Sequence, residues 1–198
     1  RRQRQMCIRD RNVFSLIGDK WMLITAGTAE RCNTMTASWG GLGVLWGAPA
    51  ATIYLRPQRY TKEFVDREEY FTLAFFGEEQ RKALTLCGSK SGRDVDKFAA
   101  MHLTAAPAAK VGTVLVEESP VNWECKVTQV ISLGSHDLFL AECVAVDVDE
   151  RLLDESGKLC LNKAKLIVYS HGDYLALGRK LGSFGYSVKT VSYTHLRA

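Results

Sequence analysis

No apolar stretch in this 198-residue chain approaches the ~18 residues needed to span a bilayer. The apolar segment at 21–27 is too short, and unsuitably flanked, for a membrane helix or a signal peptide. No membrane association is expected. The six cysteines (Cys7, Cys32, Cys87, Cys125, Cys143 and Cys160) form no CxxC pair, and the four histidines are far apart. Zinc-type spacing is therefore missing, and no metal is expected. Cysteines scattered in this way read as reduced, mostly buried thiols, which points to a cytoplasmic location. Gly40-Gly-Leu-Gly43 is not GxGxxG and opens no helix after a strand, so a Rossmann reading fails. Gly88-Ser-Lys-Ser-Gly92 resembles part of a phosphate loop but does not satisfy GxxxxGK[ST], so a Walker ATPase is excluded. No internal repeat or low-complexity linker divides the chain.

A basic footprint is lacking too. The formal charge is +4, but the ends account for it. Residues 1–11 carry five arginines against one aspartate, and residues 191–198 carry one arginine. The rest holds 20 basic and 21 acidic residues. No nucleic-acid partner is expected from such a body. Both ends, 1–11 and 191–198, resemble translated sequencing-adapter read-through. They are expected to be non-native and are set aside, leaving one domain over residues 12–190. Its composition, 46% hydrophobic and 24% charged, is that of a globular domain with a full core.

What is present alternates short strands with small helices. Asn12–Gly18 reads as a short leading helix. Trp21–Ala26 reads as a compact strand, Gly27–Arg31 as a turn, and Asn33–Trp39 as an extended segment. Gly40–Gly43 reads as a flexible loop. Ala50–Arg56 reads as a buried strand stopped by Pro57, Tyr60–Val65 as one or two helical turns, and Tyr70–Phe76 as a strand. Glu78–Cys87 reads as a helix with Ala83, Leu84 and Cys87 facing inward. A second helix is expected from Gly92 to Met101, because Ser91 and Asp94 have capping-box spacing. Beyond it come strands at Thr113–Glu117, Asn122–Ile131, Leu138–Val148 and Leu166–Tyr169. In Asn122–Ile131, Trp123, Cys125, Val127, Gln129 and Ile131 should share one face. A glycine- and aromatic-rich end follows at Tyr174–Gly185. Many antiparallel strands with inserted helices predict a mainly β fold, a closed or split β-barrel, rather than a parallel α/β sheet.

Two segments carry chemistry. Asn33-Thr-Met-Thr-Ala-Ser-Trp39 is small, polar and ends on an indole, which suits a flat heteroaromatic ring with polar edges. Arg56-Pro-Gln-Arg-Tyr-Thr61 sets two guanidiniums and a hydroxyl where a helix begins. Free N–H groups and the helix dipole favour an anion there, and arginine adds bidentate contacts. Taken alone, the first segment also fits a polar edge strand, and the second a solvated turn. By the same token Lys97 fits a surface lysine and His136 a turn histidine.

The segments NTMTASWG (33–40), RPQRYT (56–61), CGSKSGRDVDKF (87–98), GSHDLF (134–139), IVYSHGDYLALG (167–178) and KLGSFGYSV (180–188), in this order, resemble the flavin reductase-like family of FMN-binding split barrels. The resemblance implies a six-stranded antiparallel Greek-key split β-barrel, homodimeric, with FMN at the dimer interface. It implies that Asn33, Thr34, Met35, Thr36, Ala37, Ser38 and Trp39 line the isoalloxazine and ribityl chain. Arg56, Arg59, Tyr60 and Thr61 then fall near the phosphate. Ser89, Ser91 and Lys97 match the loop and helix approaching the cofactor, and Tyr169 an aromatic position near the ring. His136 matches a histidine beside the flavin and is the expected catalytic residue. Ser135 stands where the family usually has an acidic residue, which weakens orientation of His136 by a carboxylate. The implied activity is that of an oxidoreductase passing hydride from NAD(P)H to bound FMN and on to an acceptor. A flavoredoxin-type electron carrier reduced by a redox partner protein, and a module that stores or senses FMN, are the alternatives.

Overall fold

The computed structural model describes residues 22–45, 47–157, 160, 163, 165, 167–170 and 173–176. The expected helix at 12–18, both chain ends and most of 174–185 lie outside these residues. Eleven strands are described: β1 (Met22–Gly27), β2 (Cys32–Ala37), β3 (Gly40–Leu45), β4 (Ala48–Leu55), β5 (Tyr70–Phe75), β6 (Ala105–Pro107), β7 (Val114–Val116), β8 (Val121–Ser132), β9 (Asp137–Val148), β10 (Ile167–Ser170) and β11 (Asp173–Ala176). The α-helices are α1 (Tyr60–Glu68), α2 (Arg81–Ser89) and α3 (Lys97–Met101).

Seven strands form one antiparallel sheet in the order β2-β1-β5-β8-β9-β4-β3. Its edge strands, β2 and β3, are consecutive in the chain and joined only by Ser38 and Trp39. A sheet whose two edges are linked by two residues must curl round on itself, which is the split-barrel geometry. Gly40 makes the closure possible. Its φ is +156°, and a Cβ there would lie 2.4 Å from the Thr52 carbonyl oxygen and 2.8 Å from Met22 Cε. The main sheet has seven strands where six were expected. The difference includes β3, where the glycines at 40, 41 and 43 predict a loop. Pairing from Gly40↔Ile53 to Leu45↔Ala48 makes it a regular edge strand instead.

β1 is buried along its whole length because it serves two cores. Met22, Ile24 and Ala26 face the barrel interior with Ile53, Phe64, Phe71, Leu73 and Phe139. Leu23 faces a second cluster, where Ala83, Leu84 and Cys87 of α2 and Phe98 of α3 cover the sheet. Each such large side chain contributes roughly 1.5–3 kcal/mol by leaving water.

Two expectations are corrected. The helix predicted from Gly92 begins only at Lys97, with Asp96 as N-cap accepting from the Ala99 N–H at 3.1 Å. Ser91 instead closes a turn: its Oγ accepts from the Arg93 N–H at 3.2 Å, and its carbonyl accepts from Val95. A side chain bonded two residues on competes with helix. In β8 the single expected face is broken by register shifts at Glu124/Cys125 and Val127/Gln129. Glu124 and Cys125 are therefore both fully buried, while Gln129 and Ile131 are exposed.

Glu124 is satisfied by an adjacent loop. Its carboxylate accepts from the N–H groups of Ala109, Lys110 and Val111 at 2.7, 2.6 and 3.1 Å. Asp147, on the neighbouring strand, is less fortunate: burial and the Glu124 carboxylate push its pKa up to about 6, and its Oδ2 has no partner. A folded-state pKa above the unfolded value means that the native protein binds the proton more tightly. The contribution is favourable at low pH and is lost as pH rises through about 6. Asp147→Asn should therefore gain stability relative to wild type as pH is raised from 4 to 7. Urea midpoints across that range check this, and a constant difference would contradict it.

Candidate functional site

Two adjoining hollows, each about 470 Å³, share Met35, Arg56, Arg59 and Ser89 and form one cleft. This size suits a small-molecule site. The cleft runs from the β2–β3 link, past the start of α1, to the loop after α2.

The first lobe is walled by β2 and β4. Met35, Thr36, Ala37 and Ser38 lie on one side, Tyr54 and Arg56 on the other, and Trp39 and His136 at the end. Trp39 is half-exposed, and its ring meets His136 edge-on with centroids 4.9 Å apart. The imidazole is held at both nitrogens. Arg56 Nε donates to Nε2 at 3.2 Å, and Ser135 Oγ lies 3.0 Å from Nδ1. Because the guanidinium can only donate, Nε2 accepts, leaving Nδ1 to the Ser135 hydroxyl. Ser135 thus supplies the orientation that the missing acidic residue would have given. The turn bearing His136 is tied to α1 by Lys62, which pairs with Asp137 at 3.0 Å and Asp66 at 2.6 Å. The Lys62 hydrogen bond holds the Asp137 carboxyl below its usual range.

The second lobe is polar. It is lined by Asn33, Gln58, Arg59, Tyr60, Thr61, Ser91, Gly92, Arg93 and Lys97. α1 begins here, and Arg59 at its N-cap gives no side-chain cap. The first N–H groups of a helix have no partner within it. Asn33 Nδ2 donates to Thr61 Oγ1 at 2.8 Å, fixing β2 against α1. The loop after α2 presses directly on this pair, since a Cβ on Gly92 would fall 1.9 Å from Asn33 Oδ1.

Lys97 is buried, not a surface lysine. Its Nζ donates to the carbonyls of Thr34 and Cys87, each at 2.8 Å, binding β2 to the end of α2. Burial lowers its pKa, and the nearby Arg59 adds to that. Two of its three donors are spent on this tether.

The cleft therefore gathers His136, Asn33, Met35, Thr36, Ala37, Ser38, Trp39, Arg56, Arg59, Tyr60, Thr61, Ser89, Ser91 and Lys97. Thr34 does not line it. Its hydroxyl is buried, accepting from Thr25 and donating to the Ile24 carbonyl. Tyr169 lies in β10, and its side chain is outside the described residues. The sequence reading missed Tyr54 and Arg93. Arg93 stacks 4.8 Å from the Tyr60 ring centroid, donates to the Gln58 carbonyl at 3.2 Å and pairs with Glu63. It stood inside a quoted segment, but only its contacts reveal the role. Among the described residues no helix is long and apolar enough to cross a membrane.

Known proteins are similar to this chain in sequence and fold. The family described as flavin reductase like domain matches residues 14–178. Flavoredoxin of Desulfovibrio vulgaris (Miyazaki F) superposes with a TM-score of 0.78 at 27% identity, covering 86% of this chain and 93% of that one. An FMN-binding protein from Thermus thermophilus, solved with bound 1-cyclohex-2-enone, gives a TM-score of 0.72 at 25% identity over 92% and 97% of the two chains. An uncharacterized protein of Escherichia coli (strain K12), YddH, is 27% identical over 158 residues, 77% of this chain and 82% of that protein.

Thr61→Ala leaves the buried Asn33 amide without its partner. It should cost about 1–3 kcal/mol. Thr61→Ser should recover most of it. Equal urea stability of the alanine variant and wild type would show that the Asn33–Thr61 bond is dispensable.

Proposed function

The chain belongs to the flavin reductase-like domain family, and on that premise we propose that its cleft binds FMN and that the protein is an FMN-dependent oxidoreductase. The observation that carries this reading is the division of the cleft. One lobe carries the apolar and aromatic side chains Met35, Ala37, Trp39 and Tyr54, edged by Thr36, Ser38 and His136. The other is lined by Arg59, Lys97 and the uncapped start of α1. A ring with a phosphorylated side chain needs both in series.

In this reading Arg59 and the α1 N–H groups hold the phosphate, with Arg56 at the junction of the lobes. The β2 segment Asn33–Trp39 lines the ribityl chain and ring. Ser89 and Ser91 border the phosphate end. Tyr60 packs beneath, fixed by the Arg31 donor at 2.7 Å. FMN, when bound, supplies the hydride and electron chemistry. The protein's part is to position it and shield it from water. Trp39 and His136 close one end, and His136, with both ring nitrogens engaged by Arg56 and Ser135, presents no free ring nitrogen to the cleft. It orders the cleft mouth where a nicotinamide would enter, making NAD(P)H the proposed donor.

A homodimer belongs to the same reading. Val144 and Val146 of β9 and Ile131 and Leu133 at the end of β8 are exposed apolar residues, and Leu42, Val44 and Leu45 project from the edge strand β3. Such a surface suits a partner subunit. The five described cysteines are free thiols, which fits a cytoplasmic setting.

The likeness to flavoredoxin favours a second reading, an electron carrier reduced by a protein partner. Anaerobic addition of NADH, then NADPH, to the FMN-loaded protein separates the two. The reductase reading expects the flavin bands to bleach with one nucleotide. Bleaching only by a reduced protein carrier supports the second reading, and no reduction by either contradicts both. Arg59→Ala should raise the FMN Kd roughly ten- to a hundredfold, the loss of a charged hydrogen bond worth about 1.5–3 kcal/mol.

A further inference from the structure

The cysteines were read as scattered thiols, yet the fold brings two of them face to face. Cys125 of β8 and Cys143 of β9 are direct cross-strand partners. Their sulfurs lie 3.9 Å apart in the barrel core, with Cys125 fully buried and Cys143 nearly so. Directly opposed residues of an antiparallel pair have Cα atoms about 4.5–5.5 Å apart, within the range a disulfide spans. The register shift between Glu124 and Cys125 is what places the cysteine, rather than its neighbour, opposite Cys143.

We propose that Cys125 and Cys143 are a redox-active dithiol that hydrogen peroxide converts to a cross-strand disulfide. The sulfurs share one contact in which either thiol can donate. Cys143 is the less deeply buried of the two and the one peroxide reaches first, and the Cys125 hydrogen bond lowers its pKa. The Cys143 thiolate attacks one peroxide oxygen, the O–O bond breaks, and a sulfenic acid and water result once the leaving hydroxide takes the thiol proton. Cys125 sulfur then attacks the sulfenic sulfur, and the second hydroxyl leaves as water with the Cys125 proton. In sum, two thiols and one peroxide give one disulfide and two waters. Among the described residues, Cys32 and Cys87 face no cysteine across a strand pair. Burial pushes both to about 11, which keeps them protonated. The proposal does not depend on flavin binding and is tested without flavin.

Trypsin makes the test direct, because Cys125 and Cys143 are the sole cysteines of the consecutive fragments 111–126 and 127–151. The full chain is treated with stoichiometric hydrogen peroxide, free thiols are blocked by alkylation under denaturing conditions, and the digest is analysed by mass spectrometry. The expected product is a 111–126/127–151 disulfide-linked pair, two hydrogens lighter than the sum of the fragments and released by dithiothreitol. Cys125→Ala should abolish it and leave Cys143 as a sulfenic acid trapped by dimedone. If both fragments are recovered alkylated, or Cys143 is overoxidised without the link, or Cys125 or Cys143 pairs instead with Cys32, Cys87 or Cys160, the proposal is overturned.

Discussion

Two residues, Ser38 and Trp39, join the two edges of a seven-stranded sheet, and the site depends on that constraint. With so short a link the sheet cannot lie open. Gly40 meets the demand by letting its backbone pass against Thr52 and Met22, where any side chain would collide. Closure puts the β2 row Asn33, Met35 and Ala37 across from Tyr54 and Arg56 of β4 and its end. It also carries Trp39 to the β8–β9 turn, where the indole meets His136. The first lobe of the cleft is a consequence of barrel closure rather than of any local motif.

The polar lobe depends on a different kind of tether. Lys97 crosses from α3 to the carbonyls of Thr34 and Cys87, so one buried ammonium fixes both β2 and the loop that follows α2. Asn33 to Thr61 fixes the opposite side. A buried cation satisfied by carbonyls costs desolvation, but hydrogen bonds to charged groups are the stronger ones and hold geometry well. Between them lies the start of α1, which its N-cap residue Arg59 leaves without a side-chain cap. Lys97, Arg93 and the helix terminus then gather at one end of a cleft whose other end holds Trp39 and Tyr54, with Arg56 and Arg59 bordering both.

Much of this was legible in the sequence. The strands β1, β4, β5, β8 and β9 follow from apolar patterning, β2 from the extended polar segment ending on Trp39, and that segment and the arginine pair before Thr61 mark the two lobes. What was misread has local causes. Glycines at 40, 41 and 43 resemble a loop, yet an edge strand tolerates them where a partner strand supplies all the pairing. The Ser91–Asp94 spacing mimics a capping box, yet the Ser91 hydroxyl bonds its own turn. Alternation in β8 predicts one face, and two bulges that no composition rule marks move Glu124 inside. Lys97, Arg93 and the Cys125–Cys143 pairing owe their roles to partners distant in the chain, which periodicity does not reveal.

The central claim is that the arginine end of the cleft holds a phosphate carried by a flavin. The most direct test compares FMN with riboflavin, which differs only by that phosphate, using equilibrium titration followed by flavin fluorescence. The account predicts that wild type binds FMN about a hundredfold more tightly, in line with charge-assisted contacts of ~1.5–3 kcal/mol each, and that Arg59→Ala narrows the gap, weakening FMN binding more than riboflavin binding. Equal affinities for the two flavins in wild type would contradict it.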